Sequence, residues 1–441
     1  MSSAESAAKS AALVKLLSGL RELRGATTDR VCAFFVPGRV ELVGKHTDYA
    51  GGRSLVCAIE RGISIVAAPR TDAEVRIRDI SRGLEAALSL DPRAESARGE
   101  WSNYAVTVAR RIARDFPLAR TGANIAFASD LPPASGMSSS SALIVALFFA
   151  IAEVNSLAQS DFFQNSIRDR EDLAVYLSAI ESGAAFGSSS GTRGVGTLGG
   201  SEDHVAIWCS RAAYLRQYSY CPVRLECEIR APERHVLVIG VSGVEADKTG
   251  NALESYNRAS LAARKILELW KRATGREDVS LAAALESAPD ALERLRHILA
   301  KSAEPGFAPE LLLNRLAQFA EESNVIVPGV SGALASGDLE RLGVLMDRSQ
   351  HLAATLLGNQ TPETVDLVRS ARVLGAVAAS AFGAGFGGSV WALVASQQAE
   401  DFRDAWAAHY RKQYPQRARA SEFLITRAGP GVVQFQSPLS D

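Results

Sequence analysis

Cysteine is scarce and poorly arranged for a scaffold. The chain has five (Cys32, Cys57, Cys209, Cys221 and Cys227), an odd number with no C-x-x-C pair, which argues against both a disulfide framework and a zinc site and fits a reducing, cytoplasmic setting. Neither sign of charge is in excess. With 48 basic against 49 acidic side chains and a net charge of −1, nothing points to nucleic acid or to an anionic membrane, and the expected partner is a small molecule. Long apolar runs are also missing. The longest, Ala142 to Ala152, stops at Glu153, well short of the roughly 20 residues that span a bilayer, and reads as a buried helix. Met1 to Leu23 is Ala/Ser-rich and lacks the apolar run and cleavage site of a signal peptide, so it reads as a surface helix.

Two familiar nucleotide signatures are absent. The loop G-x-x-x-x-G-K-[ST] does not occur, the nearest string, Gly243 to Thr249, having Asp247 before its lysine, and neither H-R-D nor D-F-G is found. Any nucleotide chemistry must use another loop.

What is present is a long, compositionally ordinary chain. Its 441 residues, 47% apolar, exceed what one core usually supports, so two lobes are expected. Strand-like stretches (Val31 to Val36, Val40 to Val43, Ser54 to Ala68, Glu74 to Ile80, Ala123 to Ser129) are mixed with helical patterning over Trp101 to Asp115, Ala142 to Asn155 and Asp172 to Ala185. Further strands are expected at Val205 to Cys209, Ala212 to Ser219, Val223 to Ile229 and His235 to Val241. From Asn251 the pattern is mostly helical (Asn251 to Ala273, Leu281 to Ala300, Pro309 to Glu322, Asp338 to Leu357, Pro362 to Leu374), then strand Val390 to Val394, helix Gln397 to Lys412, and strands Phe423 to Thr426 and Val432 to Phe435. The fold class is α+β.

Several loops stand out chemically. Arg39 and then Gly44-Lys45-His46-Thr47-Asp48-Tyr49-Ala50-Gly51-Gly52 gather cations, an imidazole, a carboxylate and a phenol at a strand end. Asp48 can accept from two neighbouring hydroxyls while His46 and Lys45 offer donors of different reach, which suits a polyhydroxylated ligand; a solvated turn is the rival reading. Leu131 to Ser141, with Ser135-Gly136-Met137-Ser138-Ser139-Ser140, lies between a strand and an all-apolar helix. Unpaired backbone N–H groups at such a helix start form an anion site, although a plain cap or a Ser-rich linker would use the same residues. Phe186 to His204 is dense in glycine and ends in Glu202-Asp203-His204, either a carboxylate brought up to a ligand or a surface turn. Gly383-Ala384-Gly385-Phe386-Gly387-Gly388 packs four glycines into six residues before an apolar strand, which allows close backbone approach to a ligand or a ligand-free bulge.

Taken in order, these loops resemble the signature motifs of the galactokinase branch of the GHMP kinases. Arg39 to Gly52 is similar to G-R-V-N-L-I-G-E-H-T-D-Y-N-G-G, Pro132 to Ala142 to P-x-G-x-G-L-S-S-S-A, and Gly383 to Gly388 to G-A-G-F-G-G. The resemblance implies the GHMP kinase fold: an N-terminal lobe over residues 1–230 like ribosomal protein S5 domain 2, a ferredoxin-like C-terminal lobe over 231–441, and ATP with Mg2+ in the cleft. It implies a sugar 1-kinase, with galactose first and galacturonate or another uronic acid, L-arabinose or N-acetylgalactosamine as alternatives, or else a non-catalytic sugar sensor. The partners would be a sugar and ATP, with no nucleic acid and no membrane, in a monomer or weak homodimer.

By position, the resemblance makes Asp203 and Arg39 catalytic and His46, Asp48, Gly200 and Tyr256 sugar contacts. Trp101 falls where adenine packs, Ser135 to Ser140 and Gly385 belong to the ATP site, and Ser140 and Glu181 are the metal-side groups. Two departures stand out. Lys45 replaces the motif's Glu, which suits a substrate bearing a carboxylate or an accepting hydroxyl, or else a lysine turned away to pair with a nearby acid. An insertion around Ser188 to Gly194 separates Glu181 from Asp203.

Overall fold

The computed structural model describes residues 3–23, 30–95, 101–133, 135–244 and 253–435. A nine-stranded sheet and a four-stranded sheet share one large apolar core. In the larger sheet, the strands Cys32–Val43 and Arg53–Pro69 form a long antiparallel pair whose register shifts after Pro37, which has no amide hydrogen to give to the ladder. Alternation then sorts the side chains: Val40 and Leu42 enter the core, whereas Arg39 and Glu41 face a pocket. The N-terminal helix Ser3–Glu22 lays Leu16 and Leu20 against Val66, Ala68 and Ala126 of this sheet.

The smaller sheet runs Glu422–Thr426, His235–Val241, Ser389–Ala395, Ala378–Phe382, antiparallel throughout. One face carries the helices Pro362–Val373 and Ala399–Gln413, with Val236, Val238, Ala392 and Val394 meeting Leu367 and Trp406. The alternate residues Leu237, Ile239, Trp391 and Leu393 join the large core. A separate helical cluster, Leu253–Thr274, Leu281–Glu286, Ala291–Ala300 and Pro309–Glu321, packs around Trp270, Leu295 and Phe319.

Most expected elements lie within a few residues of those found, and the exceptions have physical reasons. Val205 to Cys209 is not a strand but part of the helix Glu202–Cys209. Its Val205, Ala206, Ile207 and Cys209 are buried while only Trp208 of the run is partly exposed, and so short a helix, buried on most sides, leaves an apolar run with no 3.6-residue period to read. The helix expected over Leu281 to Ala300 is two, interrupted between Glu286 and Ala291 where Pro289 stands. The helix Val327–Ser336 and the strands Leu84–Ser89 and Ala378–Phe382 were not anticipated. The last strands, Ala428–Gly429 and Val433–Phe435, do not extend the smaller sheet. They cross back and pair with Arg53–Pro69 and Cys32–Val43 of the larger one.

Candidate active site

The three glycine- and serine-bearing turns meet at Arg39. From its buried position on the first strand, the guanidinium donates through Nε to Asp203 Oδ1 at 2.7 Å and through Nη1 to the Gly136 carbonyl at 2.6 Å. Its backbone N–H donates to the Met137 carbonyl, and Ser389 Oγ donates to the Ser135 carbonyl. Gly383 comes so close that a Cβ there would lie 2.8 Å from the Gly136 carbonyl oxygen, so the third turn can abut the second only as glycine. Asp203 sits in the first turn of Glu202–Cys209, where the helix dipole favours a carboxylate. Its Oδ1 is held by Arg39, while Oδ2 accepts from Ser141 Oγ at 3.3 Å.

Asp203 and Arg39 line one pocket with Glu41, His46, Asp48, Glu181, Gly200, Glu202, His204 and Tyr256. The loop from Gly44 to Gly52 is shaped from both sides. A Cβ on Gly200 would stand 2.4 Å from Asp48 Oδ2, which accepts from the Glu202 backbone N–H at 3.2 Å. His46, at φ +58°, bonds the Tyr49 hydroxyl through Nδ1 at 2.9 Å and the Ala384 carbonyl through Nε2 at 3.0 Å. A carbonyl can only accept, so Nε2 carries a proton and, in the neutral ring, Nδ1 accepts from Tyr49.

From the other side the helix Pro309–Glu321 and the turn after it clamp the loop. Arg315 donates to the His46 carbonyl, Gln318 to the Lys45 carbonyl at 3.1 Å, and Glu322 accepts from the Gly44 and Lys45 amides at 3.0 and 3.2 Å. Sequence reading missed these three, although their i, i+3, i+7 spacing along an otherwise apolar helix face was a usable signal.

Lys45, expected to reach the substrate, points elsewhere. Its ammonium is buried and donates to Ser380 Oγ at 2.7 Å and Ser349 Oγ at 3.0 Å, and Ser349 passes its own proton to Glu322 Oε1 at 2.8 Å. A buried ammonium needs acceptors, and these lie behind the loop, outside the pocket lining.

The pocket is rich in carboxylates, and burial shifts two of them. Burial pushes Glu41 up to about 7, only partly offset by Lys45 and Arg39. Burial and the neighbouring Glu41 and Asp48 carboxylates hold Glu202 well above the usual carboxylate range. Burial also works against the charge on Arg39, but Asp203, Glu202 and Glu41 outweigh it and keep the guanidinium pKa above its ordinary value. Glu181 Oε2 lies 3.1 Å from His204 Nε2.

A second cavity, about 250 Å³, opens on the other side of the helix Ser139–Val154. Trp101, Tyr104, Phe127 and Leu131 give it apolar walls, and Ser139 and Ser140 face it, whereas Ser141 of the same turn faces the first pocket. The Ser139–Val154 helix has no side-chain cap, and Ser138, at φ +56°, keeps a buried hydroxyl with no hydrogen-bond partner. Open first-turn amides and an unsatisfied hydroxyl fit a phosphate. Among the described residues no three His, Cys, Asp or Glu side chains gather to hold a metal, so a divalent cation here would depend on phosphate oxygens together with few protein groups, as Mg2+ does. Gly385 packs on Asn359 and lines neither cavity. The insertion after Ser188 folds back onto the helix Ser102–Asp115, Ser189 Oγ donating to Asp115 at 2.6 Å and Arg114 to the Gly191 carbonyl at 2.9 Å.

Architecture and site define a GHMP-type kinase. Residues 103–195 match the GHMP kinases N terminal domain and residues 330–412 the GHMP kinases C terminal domain. The fold aligns over 96% of this chain with the crystal structure of Lactococcus lactis galactokinase complexed with galactose (TM-score 0.75, 24% identity, all of that chain). It aligns more loosely with the crystal structure of L. major mevalonate kinase in complex with R-mevalonate (TM-score 0.54, 19% identity, 92% of this chain and 98% of that one). Within that class the chain belongs to the galactokinase family. It is 31% identical over 404 residues to the galactokinase of Chloroflexus aurantiacus, covering 90% of this chain and 91% of the relative. It is 26% identical to that of Glaesserella parasuis over 86% and 89%, and residues 21–69 match the galactokinase galactose-binding signature.

Proposed function

We propose that the protein transfers the terminal phosphoryl group of ATP to the anomeric hydroxyl of a monosaccharide, galactose above all, giving a sugar 1-phosphate. The observation that carries this reading is the Arg39–Asp203 pair, placed where the hydroxyl-matching pocket meets the Gly136 turn. ATP, entering with Mg2+, supplies the phosphoryl group; Trp101 and its apolar neighbours suit the base, and the amides of Ser135 to Ser139 with the Ser140 hydroxyl suit the phosphates. Arg39 fixes one oxygen of Asp203, so the other is oriented to accept the proton of the anomeric hydroxyl. The same guanidinium bridges to the Gly136 turn, where negative charge develops as the phosphoryl group moves. Asp48, His46, Gly200 and Tyr256 orient the remaining hydroxyls.

Glu41, Asp48, Glu181, Glu202 and Asp203 line one pocket in which Arg39 is engaged by Asp203 and Lys45 is withdrawn. A substrate carboxylate would find Arg39 already paired and no lysine in the lining, which favours a neutral sugar over a uronic acid. The intact serine turn and the Arg39–Asp203 pair favour an enzyme over a silent sensor. ADP release measured over galactose, N-acetylgalactosamine, L-arabinose and galacturonate, with the product checked by phosphorus NMR, tests the reading. Galactose 1-phosphate is the expected product; phosphorylation at another carbon, or turnover of none of these sugars, refutes it.

A further inference from the structure

The pocket contains a carboxylate oxygen with nothing to bind. Glu41 is 2% exposed and lines the pocket from the same strand face as Arg39. Its Oε2 accepts from the Gly383 amide at 3.4 Å, whereas Oε1 is buried with no hydrogen-bond partner. Leaving a buried acceptor unsatisfied is unfavourable, and most such groups in folded proteins have a partner. The cations that share its surroundings are engaged elsewhere: Arg39 with Asp203 and the Gly136 carbonyl, Lys45 with Ser349 and Ser380. The His46 Nε2 proton is directed at the Ala384 carbonyl. A hydroxyl brought by a ligand can supply the donor that the surrounding side chains do not.

The sequence carries a matching exchange. Where the sugar-kinase motif reads G-R-V-N-L-I-G-E-H, this chain has Glu41 at the asparagine and Lys45 at the glutamate. The carboxylate missing from the loop reappears four residues earlier on the strand, and the ammonium that replaced it is buried behind the loop.

We propose that Glu41 is a specificity-determining contact for the sugar, its Oε1 accepting a hydrogen bond from a non-reacting hydroxyl on the side that faces Gly383 and Ala384. The assignment rests on the sugar 1-kinase reading above. It makes recognition of that hydroxyl depend on the strand, with Lys45 supporting the loop and acting on Glu41 through its charge alone.

The test is a panel of galactose and its 2-, 3-, 4- and 6-deoxy analogues, with kcat/KM measured at saturating ATP and Mg2+ for the wild type, Glu41→Ala, Glu41→Gln and Lys45→Met. At pH 8, where Glu41 is ionised, wild type is expected to lose at least about tenfold on removal of the hydroxyl that Glu41 receives, the weight of one hydrogen bond to a charged group. In Glu41→Ala that penalty falls to about twofold or less while penalties at the other carbons persist, the signature of a direct contact in a double-mutant cycle. Glu41→Gln, which keeps shape and an acceptor, retains part of it and carries the test if the alanine variant does not fold. Lys45→Met keeps the wild-type pattern. A common loss across all analogues in the Glu41 variants, an unchanged pattern, a wild type indifferent to every deoxygenation, or collapse of one penalty in Lys45→Met overturns the proposal. Those results leave the kinase reading standing so long as wild type phosphorylates galactose; a wild type that turns over no sugar removes both.

Discussion

The two cavities on either side of the Ser139–Val154 helix are built from different materials. The first is lined by charged and hydroxylated side chains from five separate stretches of chain, many of them bonded to one another. The second has mainly aromatic and aliphatic walls, with Asp79 and Arg82 at its side, and a helix start opens onto it. A nucleotide is the same in every kinase, so backbone amides and a flat apolar slot suffice. A sugar is distinguished by the positions of its hydroxyls, which requires side chains held in fixed directions. Changes in sugar preference should therefore arise in the first cavity with little effect on the second.

The strongest way to break this division is at the group that both sides share. Asp203→Asn should lower kcat by about 10²- to 10⁴-fold, the range for losing a positioned acid–base group, while nucleotide affinity, measured by calorimetry, stays within about threefold; full activity would remove Asp203 from the chemistry. Gly200→Ala places a methyl group 2.4 Å from Asp48 Oδ2. It should raise the sugar KM roughly 10- to 100-fold through misplaced contacts with the ATP KM unchanged, and an equal rise in both would show that the cavities are not independent. Trp101→Ala is the mirror experiment: the ATP KM should rise roughly 5- to 10-fold, within the range for losing one aromatic–base stack, with the sugar KM constant.

The smallest effect is one of stability. Burial moves Glu41 up to about 7 from 4.5, so between those values the folded chain holds the proton more tightly than the unfolded chain, and stability falls as pH rises through that window. Glu41→Gln removes the term. Its melting temperature relative to wild type should be near zero at pH 5 and positive, by about 2–4 °C, at pH 8. A difference that does not vary with pH would mean that Glu41 titrates normally.

The turns stood out because glycine and serine at helix starts and tight contacts have few substitutes, but that Arg39, Gly136, Gly383 and Asp203 meet was legible only through the resemblance of the motifs, in order, to those of the GHMP kinases. Side-chain direction was not. Lys45 and Glu41 lie four residues apart in one strand-and-loop unit, and only the placement of Ser349, Ser380 and Glu322, some 300 positions later in the chain, decides that the lysine turns back and the glutamate faces the pocket. For the same reason the Arg315–Gln318–Glu322 clamp is a tertiary fact, visible in sequence only as polar residues on an apolar face. Val205 to Cys209 failed through burial on most sides rather than distance.

The return of the final strands to the larger sheet has a mechanical consequence. The chain passes from the larger sheet to the smaller after Arg230 and returns between Thr426 and Ala428, so the two sheets are joined covalently twice. Because both sheets also share one apolar core, pulling them apart would break the pairings of Ala428–Gly429 and Val433–Phe435 together with the contacts between the sheets.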